Sequence, residues 1–300
     1  MKRKESLSRK IFVVSNTTIM IFLIVIMVFP YLNVLAKALN DGMDTSRGGI
    51  TIFPRIFTME NFETVVLDKA FPRAAMVSVV RVVVGTILAL LVQFMTAYVF
   101  VHKDLVGRGK ILAFFMIPMY FSGGLIPTYI LLSKMGLLNN FLLYVVPNCF
   151  SLYNMIIVRS YMQSLPAGLM EAGKIDGASE FTIFAKIVVP LCKPILATIA
   201  LWTAVGYWCD WTTTMYFFTK KKMHTLQYIL MQLLKETERI QAMIKEAAMR
   251  GEDIDTLNIS ITTESIRCAQ LIVTTIPIIM VYPFLQKHFI RGVTLGAVKD

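Results

Sequence analysis

Long stretches without a charged side chain restrict the fold of this 300-residue chain more than any other feature. A helix needs about 20 apolar residues to cross a bilayer. Four stretches between charged residues reach that length: Lys10–Lys37, Arg81–Lys103, Lys110–Lys134 and Lys134–Arg159. A fifth, 187–209, reaches it with one lysine included, and the sixth runs from Cys268 to Gln286. Because lipid offers no partner for unpaired backbone groups, each stretch predicts a helix. The sequence therefore predicts an all-α integral membrane protein with six transmembrane helices.

Basic residues near the helix ends predict the orientation. Five of them precede the first apolar run: Lys2, Arg3, Lys4, Arg9 and Lys10. Such clusters stay in the cytoplasm, so six crossings leave both termini cytoplasmic and the loop 210–264 external. The net charge of +11 then reflects basic cytoplasmic loops near anionic membrane lipid, and nucleic-acid binding is not needed to explain it.

The first apolar run has a second interpretation, as a signal peptide cleaved near Ala36-Lys37-Ala38. Its length argues against this, because the apolar core of a signal peptide has only about 7–15 residues. Charged residues make up 16% of the chain, compared with about a quarter in soluble domains. We therefore expect a retained anchor and a multi-pass protein of the cytoplasmic (cell) membrane.

Residue types that carry catalysis are sparse. The three histidines and four cysteines stand apart from one another without metal-ligand spacing. No G-x-x-x-x-G-K-[ST] motif is present to bind a nucleotide. We expect no catalytic residue, no metal site, no cofactor in this chain and no enzymatic activity. Arg81, in the second predicted span, either reaches toward the membrane surface or pairs inside the bundle.

One charged unit, "LMEAGKIDGASEFTIFAKIVVPLCKP", interrupts the apolar sequence. Pro166 suits the first turn of a short helix, and Asp176-Gly177 is a typical helix end because glycine adopts positive φ without steric cost. Ser179 is suited to cap a second short helix, which we expect to end at Pro190. The unit therefore predicts two short helices joined by a tight turn.

The same unit closely resembles the cytoplasmic signature of binding-protein-dependent ABC importer permeases, in which E-A-A-x-x-x-G is followed by I-x-x-P. Glu171, Ala172, Gly177, Ile187 and Pro190 match it in register. Gly173 stands in place of the second alanine, which we expect to loosen the first helix.

Three further stretches are similar to the carbohydrate-uptake branch of that family. Asp176 to Ala178 ("DGA") and the terminal "YPFLQKHFIRGVTLGAVKD" resemble the maltose-importer-like second permease subunit, although Asp300 replaces the usual final glycine. The stretch "YFSGGLIPTYILLSKMGLLNN" resembles the oligosaccharide and polysaccharide group.

The resemblance implies the type I ABC importer permease fold and three regions. These are an N-terminal region 1–70 with the first helix and an external loop, a transmembrane domain 71–287 with a coupling helix at about 166–189, and a cytoplasmic tail 288–300. It also implies four kinds of partner: a second permease, two ATP-binding subunits that bind ATP and Mg, an external solute-binding protein, and membrane lipid. Glu171 would anchor the coupling helix electrostatically on an ATP-binding subunit, and Gly177 would allow close approach.

Polar residues in two predicted spans are candidates for the substrate pathway. Tyr144, Asn148, Ser151 and Asn154 share one face of the predicted fourth helix. In the fifth span Trp202 and Asp210 share a face with Thr203 and Gly206. Polar side chains inside a membrane usually face the bundle interior, so bonding between helices is the alternative to contact with a sugar.

The function that these patterns favour is the permease of a carbohydrate importer, most consistent with an oligosaccharide. A permease for another solute class, such as peptides or phosphonates, shares the same coupling signature. A secondary transporter is a weaker alternative, because it needs ion-coupling acids in mid-membrane and Asp210 lies only at the edge of a span.

Overall fold

The computed structural model describes residues 7–67, 69–250 and 263–297, and it is helical through most of that length. The predictions concerning Lys2, Arg3, Lys4 and Asp300 lie outside the described residues. The first half of the chain forms α1 (Leu7–Ala38), α2 (Gly42–Ser46), α3 (Glu60–Leu67), α4 (Ala70–Val99), α5 (Arg108–Tyr120), α6 (Leu125–Lys134) and the short α7 (Leu142–Val145). The second half forms α8 (Leu152–Gln163), α9 (Ala167–Ile175), α10 (Glu180–Ile183), a π-helical turn (Phe184–Val188), α11 (Val189–Leu191), α12 (Lys193–Cys209), α13 (Thr212–Phe217), a 3₁₀ turn (Lys221–Met223), α14 (Leu226–Arg250) and α15 (Thr263–Ala297).

The chain divides into two compact units, and the first comprises Met1–Lys69 with Leu230–Thr275. Its α1 is apolar and almost entirely exposed, as a helix in contact with lipid would be. After α1, a loop folds around the buried Asn40, whose Oδ1 accepts the backbone N–H groups of Arg55 and Ile56, each at 2.8 Å. Lys37 at the end of α1 bonds Glu264 of α15 at 2.8 Å. The bonds of Asn40 therefore join the two ends of this loop.

The second unit comprises Ala70–Ile229 with Ile276–Asp300, and it contains both predicted functional regions. Helix α4 is its central element, since α8 and α12 both pack along it. Its core is built from buried apolar side chains of α4, α8 and the α10–α12 segment, including Phe94, Met155 and Ile183. These contacts fix the positions of the helices that carry the polar residues.

The number of spans is only partly visible in the described residues. Helices α1 and α4 are each long and apolar enough to cross a membrane, and two bent pairs raise the candidates there to as many as four. The pair α5–α6 bends by 115° around Gly123-Gly124, and the segment Glu180–Leu191 meets α12 at 82°. The count of six transmembrane helices stays a prediction.

The predicted fourth span is not one continuous helix. Helix α7 ends at Val145 and α8 begins only at Leu152. Pro147 lies in the gap and lacks the N–H that another helical turn would need. Ser151 then starts α8 as its N-cap, its side chain accepting from the backbone N–H of Asn154. The single helical face predicted for Tyr144 to Asn154 is therefore wrong.

Candidate functional site

A polar cavity of about 410 Å³ lies in the second unit. Three segments supply its walls: α4, the stretch from the α7–α8 gap into α8, and the second half of α12 with the start of α13. The lining residues are Arg81, Gln93, Asn148, Ser151, Asn154, Thr203, Gly206, Tyr207, Asp210, Thr212 and Thr213. A volume of this size accommodates a small ligand or one residue of a longer chain.

An ion pair forms part of the cavity wall. Arg81 is fully buried; its Nη1 donates to the backbone carbonyl of Asp210 at 2.9 Å, and its Nη2 pairs with the Asp210 carboxylate. The carboxylate also accepts from Thr212 Oγ1 at 2.7 Å and from the backbone N–H of Thr213 at 3.1 Å. Of the two alternatives for Arg81, pairing inside the bundle is therefore the one observed.

Aromatic rings complete the environment of Arg81. Its guanidinium carbon lies 4.6 Å from the ring centroid of Tyr144 and 5.5 Å from that of Tyr207, within the range of a cation–π contact. The Tyr144 hydroxyl donates to the carbonyl of Met223 at 2.7 Å and bonds Thr214 at 2.9 Å. Tyr144 thus supports Arg81 and is absent from the cavity lining.

Three polar atoms of the lining residues are buried without a hydrogen-bond partner: Arg81 Nε, Gln93 Oε1 and Thr203 Oγ1. The first can only donate, the second can only accept, and the hydroxyl can do both. Buried polar groups are nearly always satisfied in folded proteins, by water or a ligand if not by protein. The lining residues as a whole combine amides, hydroxyls, a carboxylate and a guanidinium, so the cavity is suited to a ligand that carries both donors and acceptors.

The predicted pathway residues do not all reach the cavity. Asn148, Ser151, Asn154 and Asp210 line it, although no single helix carries them. Trp202 does not belong to the lining, and its side chain is partly exposed elsewhere on α12. Gln93 lines the cavity but was not among the predicted pathway residues. As the one amide in the apolar run of α4, it could have been recognised as a candidate.

The charged unit forms the predicted turn between two short helices. Helix α9 ends at Ile175, Gly177 adopts φ 75°, and the Ser179 side chain accepts from the N–H of Thr182 at the start of α10. The N–H of Ala178 donates to the carbonyl of Gly173 at 3.0 Å, and that of Gly177 to Lys174 at 3.1 Å. This is the Schellman arrangement that ends helices with a left-handed glycine. The helical segment after it continues one residue past Pro190, to Leu191.

Gly173 has a packing role in this turn. A β-carbon at Gly173 would lie 3.1 Å from Ile183 Cγ1 and 3.1 Å from Ile187 Cδ1, closer than ordinary contacts. The missing methyl group thus lets α9 approach the following helical segment, and Gly173 is itself buried.

The outer side of the turn is exposed. Glu171, Ala172, Asp176 and Gly177 are all open to the surroundings, as is Pro190, while Ala178 and Ile187 are half-buried. Two apolar side chains share this exposure, Ile175 at 86% and Phe181 at 69%. Exposed apolar side chains next to charges are typical of a surface that binds another protein.

Glu180, the first residue of α10, bonds two other elements. Lys174 Nζ of α9 donates to its Oε1 at 2.8 Å, and the Tyr98 hydroxyl of α4 donates to its Oε2 at 2.7 Å. His102 Nε2 lies 3.6 Å from the same Oε2. The hydrogen bond from Lys174 to Glu180 raises the pKa of Lys174 above its ordinary value. The sequence does not reveal this cluster, since Tyr98 and Glu180 are 82 positions apart.

Comparisons with known proteins agree with the geometry. The family described as "Binding-protein-dependent transport system inner membrane component" matches residues 1–295. Protein LplC of Bacillus subtilis (strain 168) is 34% identical over 275 residues, covering 91% of this chain and 90% of its own length. The polygalacturonan/rhamnogalacturonan transport system permease protein YtcP of the same organism is 30% identical over 274 residues, covering 91% of this chain and 93% of that protein.

A solved structure shares the fold. It is a chain of a bacterial ABC transporter involved in the import of the acidic polysaccharide alginate, with a TM-score of 0.83 and 24% identity, and the match covers 96% of this chain and 100% of that one. The helical architecture of the described residues is thus the type I permease fold. The protein described here belongs to the binding-protein-dependent transport system inner membrane components, the membrane permeases of ABC importers.

Proposed function

We propose that this chain is the permease subunit of an ATP-driven, binding-protein-dependent importer that moves an oligosaccharide across the cytoplasmic membrane. Similar proteins are named for such substrates. Besides YtcP, they include the arabinooligosaccharides transport system permease protein AraQ of Halalkalibacterium halodurans, 29% identical over 289 residues, and the galactooligosaccharides transport system permease protein GanQ of Bacillus subtilis, 27% identical over 287 residues.

The observation that carries the proposal is the polar lining of the cavity. Each sugar hydroxyl can donate and accept a hydrogen bond, so a saccharide suits a wall that combines amides, hydroxyls and a guanidinium, among them Gln93, Thr203 and Arg81. The side chains of Asn148 and Asn154 add further amide groups to the same wall. A peptide or phosphonate has fewer hydroxyls to offer.

The partners and the orientation form part of the same proposal. A second permease would complete the cavity, two ATP-binding subunits would bind ATP and Mg and contact the exposed turn, and a solute-binding protein would deliver the sugar outside. Glu171 would contribute charge to the ATPase contact, since its side chain is exposed on α9. Both termini would be cytoplasmic, with six crossings in all.

In this proposal the chain changes conformation and breaks no bond. ATP binding and hydrolysis in the partner subunits would move the charged unit, and α4, α8 and α12 would reposition the walls of the cavity. The energy of transport would thus come entirely from the partner subunits.

Uptake by cells that lack the gene tests the proposal. Cells of the source organism carrying a deletion are complemented with the wild-type gene or with Gly177→Val, and labelled galacto-, arabino- and galacturono-oligosaccharides are compared with labelled dipeptides. We expect one saccharide class to enter only with the wild-type gene, while dipeptide entry stays unchanged. Restoration of dipeptide or phosphonate uptake, with saccharide uptake unaffected by the deletion, would contradict the carbohydrate assignment.

A further inference from the structure

Glu180 holds together three helical elements that meet at the turn. It is the first residue of α10. One of its carboxylate oxygens accepts a hydrogen bond from Lys174 of α9, and the other accepts one from Tyr98 of α4. The Tyr98 ring also contacts the Phe184 ring at a centroid distance of 5.2 Å and the His102 ring at 4.8 Å. The charged unit is thus attached to α4 by a defined set of contacts.

Helix α4 leads directly from this attachment to the cavity. It runs without a break over Ala70–Val99, and it carries Gln93 and Arg81 in the cavity wall. At a rise of about 1.5 Å per residue, Gln93 lies roughly 7 Å and Arg81 roughly 25 Å along the axis from Tyr98. A displacement at Tyr98 therefore reaches the cavity through one unbroken helix.

The alternative route along the chain is mechanically less direct. From α10 it passes through the π-helical turn Phe184–Val188 and then through the 82° bend before α12. Helices bend most readily at such irregular places. Motion of the charged unit would be partly absorbed there before it reached Thr203 and Asp210 on the cavity wall.

We propose that Glu180 is a positioning residue for transport, which transmits movement of the charged unit to α4 through Tyr98 and so to the cavity. This inference rests on the proposed function, because it supposes that the ATP-binding subunits act on the turn. Lys174 orients the Glu180 carboxylate, and the movement of Glu180 displaces Tyr98. Glu180 itself touches neither the cavity nor, in this proposal, the ATP-binding subunit.

The exposure of the cluster separates this role from a contribution to stability. The side chains of Lys174 and Glu180 are 49% and 55% exposed, and exposed ion pairs contribute little to folding. Variants of Glu180 should therefore fold and insert normally. Their effect should appear in how much substrate moves for each ATP hydrolysed.

The test uses the complete importer, purified with its partner subunits and placed in proteoliposomes. Three variants are compared with wild type: Glu180→Gln, Tyr98→Phe, and the charge exchange Lys174→Glu with Glu180→Lys. Tyr161→Phe is the matched control, because it removes a hydroxyl from the same apolar cluster on α8. The readouts are retention of the ATP-binding subunits, ATPase stimulation by loaded binding protein, solute imported per ATP, and the thermal midpoint.

We expect Glu180→Gln and Tyr98→Phe to keep the ATP-binding subunits and the thermal midpoint, while solute imported per ATP falls severalfold. The charge exchange should restore much of that ratio, because the ammonium group then carried by α10 can still donate to the Tyr98 hydroxyl and to the carboxylate then carried by α9. Tyr161→Phe should match wild type.

Three results would overturn the inference. Loss of ATP-binding subunits with Glu180→Gln but not with Tyr98→Phe would place Glu180 in the ATPase contact instead. A lower thermal midpoint with a proportional loss of every activity would show a structural role. An unchanged import ratio in both single variants would show that α4 is driven in another way.

Failure of the wild-type importer to move any saccharide would refute the proposed substrate, and the import ratio is then measured with whichever solute stimulates its ATPase.

Discussion

Asp210 meets the guanidinium of Arg81 twice, through its carboxylate and through its own backbone carbonyl, across 129 positions of sequence. The contact joins the middle of α4 to the turn that follows α12. Because Arg81 is fully buried, Asp210 supplies the counter-ion that its guanidinium needs. The pair therefore holds two walls of the cavity together as well as lining it.

The first prediction concerns the loss of one member of the pair. Asp210→Ala leaves a buried guanidinium without its counter-ion, and such losses cost about 3–5 kcal/mol. We expect a much lower thermal midpoint in detergent, and the double variant Arg81→Leu with Asp210→Ala should recover most of it. With Arg81→Leu measured alone as well, a double variant destabilised by the sum of the two single losses would show that the pair is not energetically coupled.

The second prediction concerns Gly177. A side chain at φ 75° costs roughly 1–2 kcal/mol of backbone strain, yet no atom of this chain lies within 4 Å of a β-carbon built there. Asparagine tolerates this conformation better than valine does. Gly177→Asn should therefore keep most uptake, while Gly177→Val should lose the ATP-binding subunits on purification and abolish uptake. Full uptake by Gly177→Val at normal expression would show that the turn makes no close contact with a partner.

The third prediction separates the candidate pathway residues. Asn154 lines the cavity and Trp202 does not. A single hydrogen bond contributes about 0.5–1.5 kcal/mol, so Asn154→Ala should raise the KM of saccharide uptake about 2- to 10-fold. Trp202→Phe on the neighbouring helix is the control and should leave the KM unchanged. The reverse result would move the pathway to the other side of α12.

The fourth prediction concerns orientation. In a protein without its four cysteines (Cys149, Cys192, Cys209 and Cys268), single cysteines are introduced at Lys221 and at Val106, both of which are exposed. A membrane-impermeant maleimide should label position 221 in intact cells in which the reagent reaches the outer face of the cytoplasmic membrane. It should label position 106 only after permeabilisation. The opposite labelling pattern would invert the proposed topology and place the charged unit outside.

Local features of this chain were predictable from sequence. The turn at Gly177 and the cap at Ser179 follow from the preferences of single residues, and both are observed. For Arg81 the sequence left two environments open, because a charge in an apolar run needs a partner and the sequence does not identify which residue that is. The signature around Glu171 identified the family, which the comparisons confirm.

Contacts between distant residues were not predictable in the same way. Tyr98 and Glu180 lie 82 positions apart, and no local pattern signals that a hydroxyl and a carboxylate will meet. The broken fourth span was missed because hydropathy reports how apolar a stretch is, and it is insensitive to the interruption at Pro147. Asn148 and Asn154 nevertheless reach the same cavity, because the break and α8 together form one wall.

The π-helical turn at Phe184–Val188 makes the length of the charged unit as significant as its composition. Such a turn holds one residue more than the α-helical turn it replaces. Deleting a single residue there would let the segment close as a regular α-helix and rotate Glu180 by about 100° around the axis. The carboxylate would then point away from Tyr98 while every side chain of the signature was still present. We therefore expect related chains to keep the length of this stretch even where they differ in its residues, so that gaps in an alignment here mark a change of mechanism.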